Sequence, residues 1–177
     1  HVSMTYEKGL NNMKTSIEYI LKIMENKKMK TKLIIETPAG QGTELLKDLN
    51  DFLTFFNGFS KEQKKNLGIC LDTAHTWALG YELAEAYNIL FKKNSKDITV
   101  IHLNNSLVKK GEMKDRHSVL LDGKIPVADM NDFIASLSGS RDNVYSQKSS
   151  KYIPTIILET PSENYEMEIN HIRNLLD

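Results

Sequence analysis

A single cysteine, Cys70, is present, so no internal disulfide can form and a reducing compartment, cytoplasm or nucleus, is the expected setting. Lying in an apolar run, Cys70 reads as a small buried hydrophobe. Net charge is also lacking: 23 Lys and Arg balance 23 Asp and Glu. The balance gives no support for a strong global field that would attract DNA, but it allows a local basic surface offset by acidic metal ligands and an acidic back face. No apolar stretch is long enough to span a bilayer, so no membrane contact is expected. No secretory signal is visible, although a chain that opens on His1 instead of Met says little about targeting.

Within 177 residues there is room for one domain with a real core. Leu10, Met13, Ile17, Ile20, Leu21 and Met24 recur at helical spacing, and Lys27, Lys28 and Lys30 close that helix with the charge its dipole prefers. Short apolar strands are predicted over 33–35, 68–71, 98–103 and 152–158. Helical stripes fall at 45–56, 81–91, 128–137 and 165–176, and Ser60 with Gln63 fits a capping box. Residues 104–126 read as a long loop and 138–150 as a polar, serine-rich surface insertion. Short, almost wholly apolar strands separated by helices predict an α/β fold with a helix-covered parallel sheet.

The polar residues at the strand ends carry the functional signal. Glu36 ends the first strand, Asp72 the second with His75 three residues on, His102 the third and Glu159 the last, and Asp115-Arg116-His117 lies in the long loop. Each has a structural alternative. Glu36 and Glu159 could cap loops, Asp72 could cap a helix with His75 in the core, and Asp115 to His117 could be a solvated turn. Together they point elsewhere: ligands bind at the carboxyl ends of parallel strands, histidine and carboxylate are the usual donors of a hydrolytic zinc site, and clustered carboxylates repel unless a cation joins them. His171, in the final helix, reads as an exposed bystander without a partner.

The segments Glu36-Thr37-Pro38-Ala39-Gly40-Gln41-Gly42, Cys70-Leu71-Asp72-Thr73-Ala74-His75, His102-Leu103-Asn104, Asp115-Arg116-His117 and Ile157-Leu158-Glu159-Thr160, in this order, resemble endonuclease IV, the zinc-dependent apurinic/apyrimidinic endonuclease family. The resemblance implies a TIM (β/α)8 barrel of which residues 1–177 are the C-terminal portion, five or so βα units. It implies three zinc ions. Glu36 bridges the first two, with His1 on the first; Asp72, His102 and Glu159 hold the second; His75, Asp115 and His117 hold the third. One further histidine of the family, on an earlier strand, has no counterpart here. Glu36 and Glu159 are the implied catalytic residues, orienting metals and water, and Arg116 and Lys114 are implied contacts to DNA phosphates.

The implied reaction is hydrolysis, by a multi-zinc mechanism, of the phosphodiester 5′ to an abasic site in double-stranded DNA during base-excision repair. It leaves a 3′-hydroxyl and a 5′-deoxyribose phosphate. Two departures from the family touch the loop: Leu121 stands where a glycine is usual and Asn105 where aspartate is usual. Two alternatives stand beside this reading. One is a metal-dependent sugar isomerase or epimerase on a related barrel, against which Asp72 with His75 and the Asp115 to His117 triplet argue. The other is a truncated, non-catalytic remnant.

Overall fold

The computed structural model describes residues 5–138 and 154–177. His1 and nearly all of the 138–150 segment lie outside the described residues. Helix α1 (Tyr6–Asn26) starts at Thr5, whose hydroxyl accepts the Lys8 N–H at 3.3 Å, and buries Ile17, Leu21 and Met24 from the expected stripe. Strand β1 (Leu33–Glu36) follows. Helix α2 (Leu49–Asn57) begins four residues later than the stripe from Leu45 suggests. Asp48 sets that start: its carboxylate accepts the Asn50 and Asp51 N–H groups at 2.8 and 3.1 Å. The Tyr81 hydroxyl also donates to it at 2.8 Å. Tyr81 above all holds the Asp48 carboxyl below its usual range; burial opposes it, and the Asp51 and Asn50 N–H groups add to the lowering. Ser60 and Gln63 form the expected capping box over a single 3₁₀ turn, with bonds of 2.8 and 3.2 Å.

Strand β2 (Leu67–Asp72) is buried at every position. It runs straight into a short helix, α3 (Thr73–Leu79), which Gly80 ends at φ +105. Then come α4 (Leu83–Asn94), β3 (Ile98–His102), two two-residue strands β4 (Asn105–Ser106) and β5 (His117–Ser118), α5 (Val127–Leu137), β6 (Thr155–Ile157) and α6 (Tyr165–Leu176). The main sheet is four-stranded and parallel in the order β1-β2-β3-β6, so the four expected strands share one sheet with helical crossovers. Helix α4 packs against α2 and α5, and α5 against α6. Phe52, Phe56, Leu90 and Phe133 fill the core between these helices and Leu67, Ile69, Ile98 and Ile101 of the sheet. Among the described residues no helix is long and apolar enough to cross a membrane.

The expected long loop 104–126 contains an antiparallel ladder, in which Asn105 faces Ser118 and Ser106 faces His117. Asn105 is buried and fastens the rest of the loop. Its Nδ2 donates to the Leu120 and Ile125 carbonyls at 2.8 and 3.0 Å, and its Oδ1 accepts from Ser106 and Ile125 N–H. An aspartate could not make the two donations, which gives the Asn at this position a structural use. His171 is not a bystander: its Nε2 lies 2.7 Å from Asn131 Oδ1 and joins α6 to α5.

Candidate metal centre

In-register pairing of parallel strands brings their carboxyl ends level. Glu36 pairs with Cys70, Asp72 with His102, and His102 with Ile157, two residues before Glu159. The β4–β5 ladder then folds Asp115 and His117 back over the same end. Glu36, Asp72, His75, His102, Asp115, His117 and Glu159 therefore meet, although they span 36 to 159 in the chain.

At the centre of one subsite is His102, whose Nδ1 lies 2.7 Å from Glu36 Oε1, 3.2 Å from Glu159 Oε2 and 3.8 Å from Asp72 Oδ2. Beside it, His75 Nε2 and His117 Nε2 lie 3.4 and 3.2 Å from the same oxygen, Asp115 Oδ1, and His117 Nε2 is 3.6 Å from Asp72 Oδ2. Two groups of histidine and carboxylate donors fall within ligand range of a common ion: Glu36, Asp72, His102 and Glu159, and Asp72, His75 and His117; a third group, Glu36, Cys70 and His102, includes the thiol. Asp72 belongs to the first two.

Local structure fixes these side chains. Asp72 is fully buried and caps α3, with Oδ1 accepting the His75 N–H at 2.8 Å, so the helix-capping alternative is borne out while Oδ2 is left facing His117. Its own N–H donates to Thr37 Oγ1 at 3.0 Å. His75 Nδ1 lies 2.8 Å from the Thr37 carbonyl, which makes Nδ1 a donor and, in the neutral ring, leaves Nε2 with a lone pair facing the carboxylates.

Both His75 Nε2 and His117 Nε2 are buried without a hydrogen-bond partner. Buried polar atoms are rarely left so. Two orphaned imidazole nitrogens aimed among four carboxylates form a donor set that fits a divalent cation such as zinc.

Electrostatics agree with that fit. Burial first, and then Asp72, raise the Glu36 carboxyl above its usual range against the pull of His75 and His102. Burial also raises Asp72, opposed by His75 and His117. For His75, burial opposes the charge, but Asp72, the Thr37 carbonyl, Asp115 and Glu36 outweigh it and the pKa rises. Cys70 Sγ lies in range of Glu36 and His102, but burial, then Glu36, push its thiol far up, so it stays protonated and inert.

Sequence reasoning missed Asn104. It is fully buried and donates to both Asp72 and Glu159. The signal for it is the need of clustered carboxylates for N–H donors, met by the asparagine two residues past His102. Arg116 and Lys114 are exposed on the loop that carries Asp115, outside the donor cluster.

The fold and the site define a strand-end metal-site candidate on an α/β sheet, and comparison with known proteins gives its family. A model of the xylose isomerase-like TIM barrel matches residues 1–175, and the chain belongs to that family. A probable endonuclease 4 of Mycoplasma pneumoniae is 33% identical over 171 residues, covering 89% of this chain and 55% of the relative. Its counterpart in Natronomonas pharaonis is 30% identical over 187 residues, covering 100% and 60%. The crystal structure of endonuclease IV from Thermus thermophilus superposes with a TM-score of 0.65 at 24% identity over 90% of this chain and 56% of that one. The expected resemblance to endonuclease IV is thus borne out, and the chain spans little more than half the length of these relatives.

Proposed function

We propose that residues 1–177 are the C-terminal portion of a TIM-barrel DNA repair endonuclease that hydrolyses the phosphodiester 5′ to abasic sites, with 138–150 as a surface insertion. The observation that supports this most is the convergence of seven histidine and carboxylate side chains at one sheet end with two buried imidazole nitrogens left unpaired. The relatives named endonuclease 4 make DNA the substrate class to test first. They also favour a nuclease over a sugar isomerase.

In this reading Glu36, Asp72, His102 and Glu159 would hold one zinc, and His75, Asp115 and His117, with Asp72 near both groups, would hold another. His1 and Glu36 serve a third in the complete barrel. Zinc supplies Lewis-acid stabilisation of phosphoryl charge and an activated water. The chain's own residues do the rest. The Thr37 carbonyl keeps His75 in the tautomer that presents Nε2. Glu36 and Glu159, each with about two-fifths of the side chain exposed, are the carboxylates that reach the open side of the site and orient the attacking water. Arg116 and Lys114 contact DNA phosphates next to Asp115. An abasic nucleotide leaves the stack at low cost because its pairing is already lost.

The test is incision of a duplex carrying one abasic site by the zinc-loaded chain, with both ends of the cut identified. A 3′-hydroxyl and a 5′-deoxyribose phosphate, abolished in Glu159→Gln, are expected. Ketose isomerisation with manganese and no incision would refute the reading.

A further inference from the structure

Asn104 spends its whole side chain on the candidate site. Its Nδ2 donates to Asp72 Oδ2 at 2.9 Å and to Glu159 Oε2 at 3.3 Å, and its Oδ1 accepts the Glu159 backbone N–H at 2.9 Å. These partners fix the amide orientation, since a flipped amide would set its carbonyl against two carboxylates. The backbone is fixed as well. The Asn104 N–H donates to Thr73 Oγ1 at 2.9 Å, and that hydroxyl donates to the Asn104 carbonyl at 2.6 Å. One residue therefore ties together the ends of β2, β3 and β6.

We propose that Asn104 is a positioning residue that fixes the aim of Asp72 Oδ2 and Glu159 Oε2 at a cation, and so sets its coordination number. The inference rests on the metal-centre reading above. Asp72 Oδ1 is occupied by the α3 cap, and Asn104 takes one lone-pair direction of Oδ2. What remains of Oδ2 faces His117 Nε2 at 3.6 Å and His102 Nδ1 at 3.8 Å. Glu159 follows a three-residue edge strand and is half-exposed. Asn104 grips it at two points, backbone N–H and Oε2, with Oε2 left 3.2 Å from His102 Nδ1. Without those points the Glu159 carboxylate is free to rotate and chelate through both oxygens. The coordination number then rises and the site loses selectivity between four-coordinate and six-coordinate ions.

The test compares the wild-type chain with Asn104→Leu, of similar branching and no donor, and Asn104→Ser, which covers the case in which the larger Leu does not fold. Thr160→Val is the control, because it removes a buried hydrogen bond one residue from Glu159 without touching the cluster. Zinc affinity is read by chelator competition and coordination by the d–d absorption of the cobalt(II) form. Affinity is expected to fall about 10- to 100-fold in the Asn104 variants, with weaker cobalt bands as coordination number rises, while Thr160→Val keeps the wild-type spectrum. Wild-type affinity and bands in the Asn104 variants would overturn the inference and leave the metal centre standing. So would the same spectral change in Thr160→Val, or failure of both Asn104 variants to fold. A wild-type chain that binds neither metal would overturn the metal centre and the inference together.

Discussion

Asp72→Asn separates a metal ligand from a structural carboxylate. Asn is as good a helix N-cap as Asp, so the bond to the His75 N–H survives, and the volume is unchanged. The variant loses the charge-assisted bond from Asn104 Nδ2, about 1.5–3 kcal/mol. Against that stands the relief of a fully buried anion that burial already drives toward its neutral form. The two effects oppose each other, and the metal-free variant should lie within about 2 kcal/mol of the wild type, or roughly 4–8 °C in Tm at this chain length.

Zinc should behave quite differently. At a hundredfold excess over Kd each zinc bound should stabilise the wild-type chain by about 2.7 kcal/mol, roughly 5–11 °C per site. Asp72 serves both donor groups, so the variant should show almost none of this shift. Scanning calorimetry with and without zinc, after chelator treatment, reads both numbers. A variant that loses several kcal/mol without metal yet keeps the full zinc shift would refute the reasoning, because Asp72 would then be a structural carboxylate only.

The pH dependence of stability should change sign with metal. Folded-state pKa values of Glu36, Asp72 and His75 lie above ordinary values of 4.5, 3.8 and 6.5, so the folded metal-free chain binds more protons than the unfolded one and loses stability as pH rises through that range. With zinc the carboxylates must be ionised and stability should fall toward acid; thermal melts from pH 5 to 8 check both arms. Gly68→Ala should cost about 1–3 kcal/mol by urea titration, since an added Cβ meets Thr99 Oγ1 at 2.6 Å and Ile34 Cδ1 at 2.9 Å in the buried sheet. Arg116→Ala should weaken binding to abasic duplex about equally across sequences and lower the salt slope by about 1 in a fluorescence titration, while zinc content stays unchanged.

The sheet and the site were legible for the same reason. Each strand of the main sheet reads as an apolar run, and each run ends on or just before Glu36, Asp72, His102 or Glu159, a class of residue that an apolar run would not otherwise carry. Helix α3 entered only as an alternative, through Asp72 as a cap, because its seven residues of Thr, Ala, His, Trp and Leu carry no stripe; Asp72 and Gly80 define it from its two ends. The β4–β5 ladder was hidden because two-residue strands have no period, and Asn105 sets it by side-chain bonds to residues 15 and 20 positions away. His171 misled for a similar reason, since its partner Asn131 is 40 residues distant. Asn104 entered only as part of the His102-Leu103-Asn104 segment, with no role of its own, although two carboxylates take its donors.

Zinc per chain, measured by elemental analysis of the purified 177-residue protein, tests the central claim most directly. The account predicts about two ions, one for each donor group, with loss in His75→Ala and Asp115→Ala while the chain stays folded. A folded wild-type sample without zinc after incubation with excess metal would contradict it.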